Sequence, residues 1–142
     1  MGKGEKMSRR EFRTHLFNAL YFFEFHKSEE FEKQVDAYIQ EEEIEDEYKD
    51  EIKEKALLIV SHIDDIDKRI NDTAIGWKTS RMSKVDLSIL RVAVYEMIFD
   101  DDVPTSVAIN EAVEIAKLFG EDESPSFING ILGKISKNES EA

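Results

Sequence analysis

Arg9, Arg10 and Arg13 place three guanidinium groups within five residues of a chain whose net charge is −13. A guanidinium is a planar fork of N–H donors that fits a phosphate bidentately and stacks on a nucleobase. Residues 1–27 carry six cations against three acids, and the remainder carries 13 against 29. A basic start on an acidic body is the pattern of a polyanion-binding arm. The same residues would also suit an ordinary solvated helix face. Their position favours the arm. Ser8 followed by Glu11 is a capping box, which puts the three arginines in the first two turns of a helix. Cations there oppose the helix dipole, and a local misfit of this kind is a mark of function.

No other group of residues has the spacing of a reaction centre. The chain has no cysteine, which excludes disulfides, thiol catalysis and Cys-ligated metals. His15, His26 and His62 belong to no HExxH-type spacing. The acids Asp64, Asp65 and Asp67 invite a calcium reading, but an EF-hand loop wants Gly at its sixth position and Glu at its twelfth. Counting from Asp65 gives Ile70 and Gly76; counting from Asp67 gives Asp72 and Lys78. No Gly-rich phosphate loop is present. We therefore expect no cofactor, no metal and no catalysis. No apolar run approaches the roughly 18 residues of a membrane span, and the N-terminus lacks the apolar stretch of a secretory signal. A cytoplasmic protein is the expectation.

The elements that position the arginines read as helices. Only two prolines and six glycines punctuate the chain, and apolar residues recur at three- and four-residue steps throughout. The first helix should run from Ser8 to about His26. Its face of Phe12, Leu16, Ala19, Leu20 and Phe23 is widened by Phe17, Tyr21, Phe22 and Phe25. Ser28 caps a second helix through Phe31, Val35 and Ile39. Glu41–Glu47 is a solvated connection. A long helix follows from Tyr48 to Ile70, and the acids clustered between His62 and Asp67 leave room for a break there. Asn71, Asp72 and Gly76 mark a turn before Trp77. Ser83 and Asp86 cap an apolar helix that Pro104 cannot continue. Thr105 or Ser106 caps the next, which Gly120 closes. Ser124 then caps a last helix with Pro125 at its first position. The expectation is an all-α fold of six to seven helices. Residues 1–7 would be a flexible tail, 8–137 one domain, and 138–142 a frayed tail.

Several interior residues fit their helices poorly. Asn110 and the Asn129-Gly130 pair interrupt apolar helices at a cost of roughly 0.5–1 kcal/mol against Ala. Either Gly130 admits a close helix contact and each Asn bonds across the core, or these positions serve a ligand. Arg91 lies on a largely apolar helix and needs a carboxylate. Glu111 or Glu96 could supply it, in a structural role.

RREFR (9–13), NALY (18–21), Trp77, SRMSKVDLSILRVAVYEMIF (80–99), VPTSVAINEAVEIAKLFG (103–120) and SPSFINGILGKI (124–135) together resemble the NusB family of transcription antitermination factors. The order holds from about Ser8 to Lys137. The resemblance implies an all-helical fold of two small packed bundles. It implies a non-enzymatic protein that binds boxA-type single-stranded RNA with NusE, a small-subunit ribosomal protein. That complex joins antitermination assemblies on RNA polymerase, chiefly in rRNA transcription. The family also implies a homodimer as an alternative state that masks the RNA arm.

By the same resemblance, Arg9, Arg10, Arg13, Tyr21, Glu123, Ser124, Phe127 and Asn129 face RNA, and Asp86 faces NusE. Glu11 departs from the pattern, standing where another arginine is often found. Arginine with Tyr21 and Phe127 would combine phosphate contact with base stacking. Three phosphate contacts predict a salt slope near −2, so fourfold more salt should cost roughly tenfold to twentyfold in affinity. Reversing all three arginine charges should abolish boxA binding and leave helicity and melting temperature near native. The competing readings are a protein-binding adaptor that holds NusE with little RNA affinity, and the RNA-binding part of an rRNA methyltransferase. The last lacks a cofactor loop and a cysteine nucleophile.

Overall fold

Ser8 opens the first helix as its spacing predicts. Its Oγ accepts from the Glu11 N–H at 3.0 Å, and the Glu11 carboxylate accepts from the Ser8 N–H at 3.0 Å. In the computed structural model, which describes residues 6–26 and 29–141, this helix α1 spans Arg9–Tyr21. It then tightens into a 3-10 turn, Phe22–Glu24, short of the expected end at His26. The proposed cap Ser28 lies outside the described residues. Helix α2 spans Glu29–Glu41 and α3 spans Asp46–Ser61. The acidic connection between them turns through Glu43, whose φ is 52°.

The long apolar period does break where acids crowd it. His62 leaves the helical region (φ −106°, ψ 13°), and its ring stacks on Phe99 at 4.1 Å. Helix α4 restarts at Ile63 and runs to Thr73, so Asn71 and Asp72 are helical and the turn begins at Ala74. Gly76 has φ 85° there, a conformation that favours glycine. The Asn71 side-chain oxygen accepts from the Thr79 N–H at 2.7 Å, tying this loop to a short 3-10 turn at Thr79–Arg81. Helix α5 spans Lys84–Phe99, with Ser83 Oγ accepting from the Asp86 N–H at 3.0 Å.

Two helix starts differ from expectation by a residue. Helix α6 spans Thr105–Phe119, and Pro104 occupies its cap position, so neither Thr105 nor Ser106 caps it. Helix α7 spans Ser124–Ser140, with Glu123 at its boundary and Pro125 one residue inside. Ser124 is instead a latch: its Oγ accepts from the Glu121 N–H at 2.9 Å. Gly120 closes α6 in extended geometry (φ −91°), and a Cβ on it would lie 2.6 Å from the Ser124 side chain. Space, not left-handed backbone, requires glycine there. At its far end α7 continues past Lys137, where Glu139 pairs with Arg69 of α4.

Helices α1, α2 and α3 form one group and α4 to α7 a second; packing of α1 on α5 joins them. Helix α5 is the shared centre, buried at every residue from Leu87 to Glu96. Leu16, Leu20, Ile66, Leu90 and Leu132 are all essentially inaccessible. Each such side chain contributes about 1.5–3 kcal/mol by leaving water. No strand occurs among the described residues. The expected all-α, two-bundle architecture is the observed one.

Candidate nucleic-acid interface

The three arginines that follow the capping box meet three different fates. Arg9 is exposed and makes no ion pair among the described residues. It borders a groove with Phe12, Tyr48 and Lys55, which the acids Glu51, Asp100 and Asp102 also line. Arg10 is also exposed, but its Nε and Nη2 donate to the two oxygens of Glu111 on α6 at 2.8 and 3.0 Å. Arg13 lies one turn further along the same groove, at its buried end. It is 6% exposed, and its Nε donates to both oxygens of Glu96 on α5 at 3.1 and 2.9 Å.

Glu96 and Glu111 are therefore not the partners of Arg91, as the sequence suggests. Arg91 bonds Asp67 through Nε at 2.9 Å and Nη2 at 2.7 Å, and it also reaches Glu24. Glu24 in turn accepts from Lys84 at 3.2 Å. The reason is helical phase. Five residues turn a helix by roughly 140°, so Arg91 faces α4 and the turn after α1 while Glu96 faces the start of α1. Sequence reasoning missed Asp67, one of several acids in a polar stretch, and Glu24, whose aromatic neighbours Phe22, Phe23 and Phe25 were the available signal of burial.

The electrostatics follow these pairings. Burial pushes the Glu96 carboxyl above its usual range, and Arg13 only partly offsets that. The hydrogen bond from Arg10 holds Glu111 below the usual range and raises Arg10 in return. Burial also works against ionised Glu24, but the Arg91 and Lys84 contacts outweigh it, and its carboxyl is held low.

A second cluster forms where the starts of α5 and α7 meet the loop after α4. Trp77, Arg81, Asp86, Glu123, Ser124 and Phe127 border one groove of about 310 Å³. The structure thus brings four of the predicted residues together: Asp86, Glu123, Ser124 and Phe127. Trp77 packs edge-on against Phe127, with centroids 6.2 Å apart, and is 57% exposed. An exposed tryptophan in a polar turn was the available signal for it. Asp86 buries one carboxylate oxygen without a donor. Ser124 is 3% exposed and committed to its backbone latch.

The other predicted residues lie elsewhere. Tyr21 is half-buried against Phe25, 5.3 Å away, and Phe25 is 55% exposed. Asn110, Asn129 and Gly130 are exposed. Neither asparagine bonds across the core, and a Cβ on Gly130 would meet nothing within 4 Å. Close packing is not what Gly130 is for. Among the described residues no group of His, Asp and Glu is placed to hold a metal ion, and no helix is long and apolar enough to cross a membrane.

Two helical groups around a buried α5, with arginines at one edge and an aromatic groove at another, define an all-α protein whose distinctive features lie on its surface. The family model described as the NusB family matches residues 10–137. A transcription antitermination protein NusB from Agathobacter rectalis is 45% identical over 131 residues, covering 92% of this chain and 100% of that protein. The structure of T. maritima NusB superposes with a TM-score of 0.81 at 35% identity, covering 94% of this chain and 93% of that one. A structure of the antitermination factors NusB and NusE in complex with double-stranded RNA shares the fold, with TM-score 0.80 at 24% identity over 92% of this chain and 96% of that chain. The chain belongs to the NusB family.

Proposed function

We propose that this protein is a transcription antitermination factor that binds boxA-type single-stranded RNA together with NusE and carries that complex to RNA polymerase, chiefly during rRNA transcription. It acts in the cytoplasm as an adaptor and not as an enzyme. The observation that carries this reading is the match to a NusB protein over that protein's whole length at 45% identity. In this reading Arg9 and the outer edge of Arg10 hold phosphates. Tyr21 and Phe127 offer faces to unpaired bases at two separate places, with Glu123 beside Phe127, exposed Asn129 on the same helix, and Ser124 acting through its latch. Asp86 belongs to the NusE face. Arg13, assigned to RNA by resemblance, acts through its bond to Glu96 by setting the angle at which α1 presents the other two.

One or two phosphate contacts in place of three predict a salt slope of roughly −0.7 to −1.4. Fluorescence anisotropy of labelled boxA RNA, titrated with this protein, with NusE and with both, tests the reading. The pair should bind more tightly than NusE alone, and the slope should fall in that range. A second reading, a NusE-binding adaptor with little RNA affinity, draws support from the carboxylates already seated on Arg10 and Arg13. No gain over NusE alone would select it.

A further inference from the structure

Glu111 fills the two-donor fork of Arg10 that could otherwise hold a phosphate. Its two oxygens engage Nε and Nη2 side by side, at 2.8 and 3.0 Å. This is the parallel two-bond geometry that arginine offers to carboxylate and phosphate alike. The Arg10 side chain remains 48% exposed, so the contact lies at the surface, while Glu111 is more enclosed at 16%. The hydrogen bond from Arg10 favours the ionised form of Glu111. The pair sits one turn from Arg13, whose charge is likewise matched, by Glu96. Of the three cations that open α1, only Arg9 presents an unmatched charge.

We infer that Glu111 is a specificity-determining residue of the RNA edge: an internal competitor whose carboxylate must be displaced from Arg10 before a phosphate can take that fork. The inference rests on the RNA-binding reading above. Non-specific binding to nucleic acid is supplied almost wholly by unmatched cations. Matching Arg10 internally suppresses it. An RNA that also stacks bases on the aromatic residues, or arrives held by a partner, has the additional contacts needed to displace the carboxylate. A plain polyanion does not. Glu111 thereby lowers affinity for every strand and raises discrimination between strands.

The test uses the full chain, its Glu111→Gln variant, Arg10→Gln and the double variant. Each is titrated over a salt series with labelled boxA RNA and with oligouridylate of equal length. Glu111→Gln should tighten oligouridylate binding about twofold to fivefold, the range of an exposed ion pair. It should steepen the salt slope by about 0.7, one added phosphate, and narrow the preference for boxA. Arg10→Gln should cost more in the Glu111→Gln background than in the native one. In the native chain, the Arg10 Nε–H resonance should move on adding boxA RNA while that of Arg13 stays. Unchanged or weaker binding by Glu111→Gln, an unaltered slope, an equal Arg10 cost in both backgrounds, or an unmoved Arg10 resonance overturns the inference. If the native chain binds boxA RNA normally through any of these outcomes, only the competitor role falls; if it binds no RNA with or without NusE, the RNA-binding reading falls with it.

Discussion

Replacing Arg13 by glutamine should be among the more damaging single changes at the start of α1, although the residue looks like part of a surface arm. The Arg13 and Glu96 side chains are 7% and 5% exposed, and Nε lies 2.9 Å from the nearer oxygen. Removing one partner of a buried pair costs about 3–5 kcal/mol, because the other charge stays behind. Unfolding entropy of about 2.1 cal/mol/K per residue gives roughly 0.3 kcal/mol/K for this chain, so each kcal/mol moves the melting temperature by about 3 °C. The expected loss is therefore about 10–15 °C at pH 7. It should shrink in acid. Burial already raises the Glu96 carboxyl, and an acid with a raised folded-state pKa costs stability above that value and recovers it as pH falls through it. Without Arg13 the carboxyl rises further, so the gap between Arg13→Gln and native should be smaller at pH 5 than at pH 7. Thermal melts followed by circular dichroism at both values decide this, with Arg9→Gln as the exposed control, expected within about 2 °C of native. A melting temperature for Arg13→Gln that matches the control would refute the buried-pair argument. The same reasoning overturns the expectation that reversing all three arginines leaves stability untouched: Arg13→Glu would set two carboxylates against each other in the core. Arg9→Glu alone is the cleaner probe of RNA contact.

Gly130 is a helix-interior glycine with open space around its α-carbon, so Gly130→Ala should stabilise by about 0.5–1 kcal/mol and raise the melting temperature about 2–3 °C. Gly120→Ala should do the opposite, costing about 1–3 kcal/mol by denaturant titration, because the added carbon meets Ser124 at 2.6 Å. Glu24 is held below the usual carboxylate range by Arg91 and Lys84, so the stability it contributes is present above the unfolded value and is lost as pH falls through the depressed one. Glu24→Gln should accordingly melt lower than native at pH 7, with the difference closing toward pH 3.

The local features of this fold were readable one residue at a time. The Ser8–Glu11 capping box, the apolar faces and the interruption near His62 each depend on neighbours three or four positions away, and helical periodicity records those directly. The cap positions at Pro104 and Glu123 were missed because Thr105, Ser106 and Ser124 all have hydroxyls able to cap, and hydroxyl chemistry alone does not choose among neighbours. Gly130 and Asn110 stayed open between two readings for a related reason: composition marks an unusual residue but not which side of the helix meets the core.

What the amino-acid order by itself determined was the helical class, most element boundaries and the family, since these rest on short-range pattern. What only the tertiary structure decided was the fate of each charge. Arg10 meets Glu111 across 101 residues, Arg13 meets Glu96 across 83, and Arg91 meets Asp67 across 24. Three arginines of one type became an exposed cation, a surface fork matched by a carboxylate and a buried strut, because rotations of roughly 40–100° around the helix and the docking of α1 against α5 and α6 determine which side chains share a space.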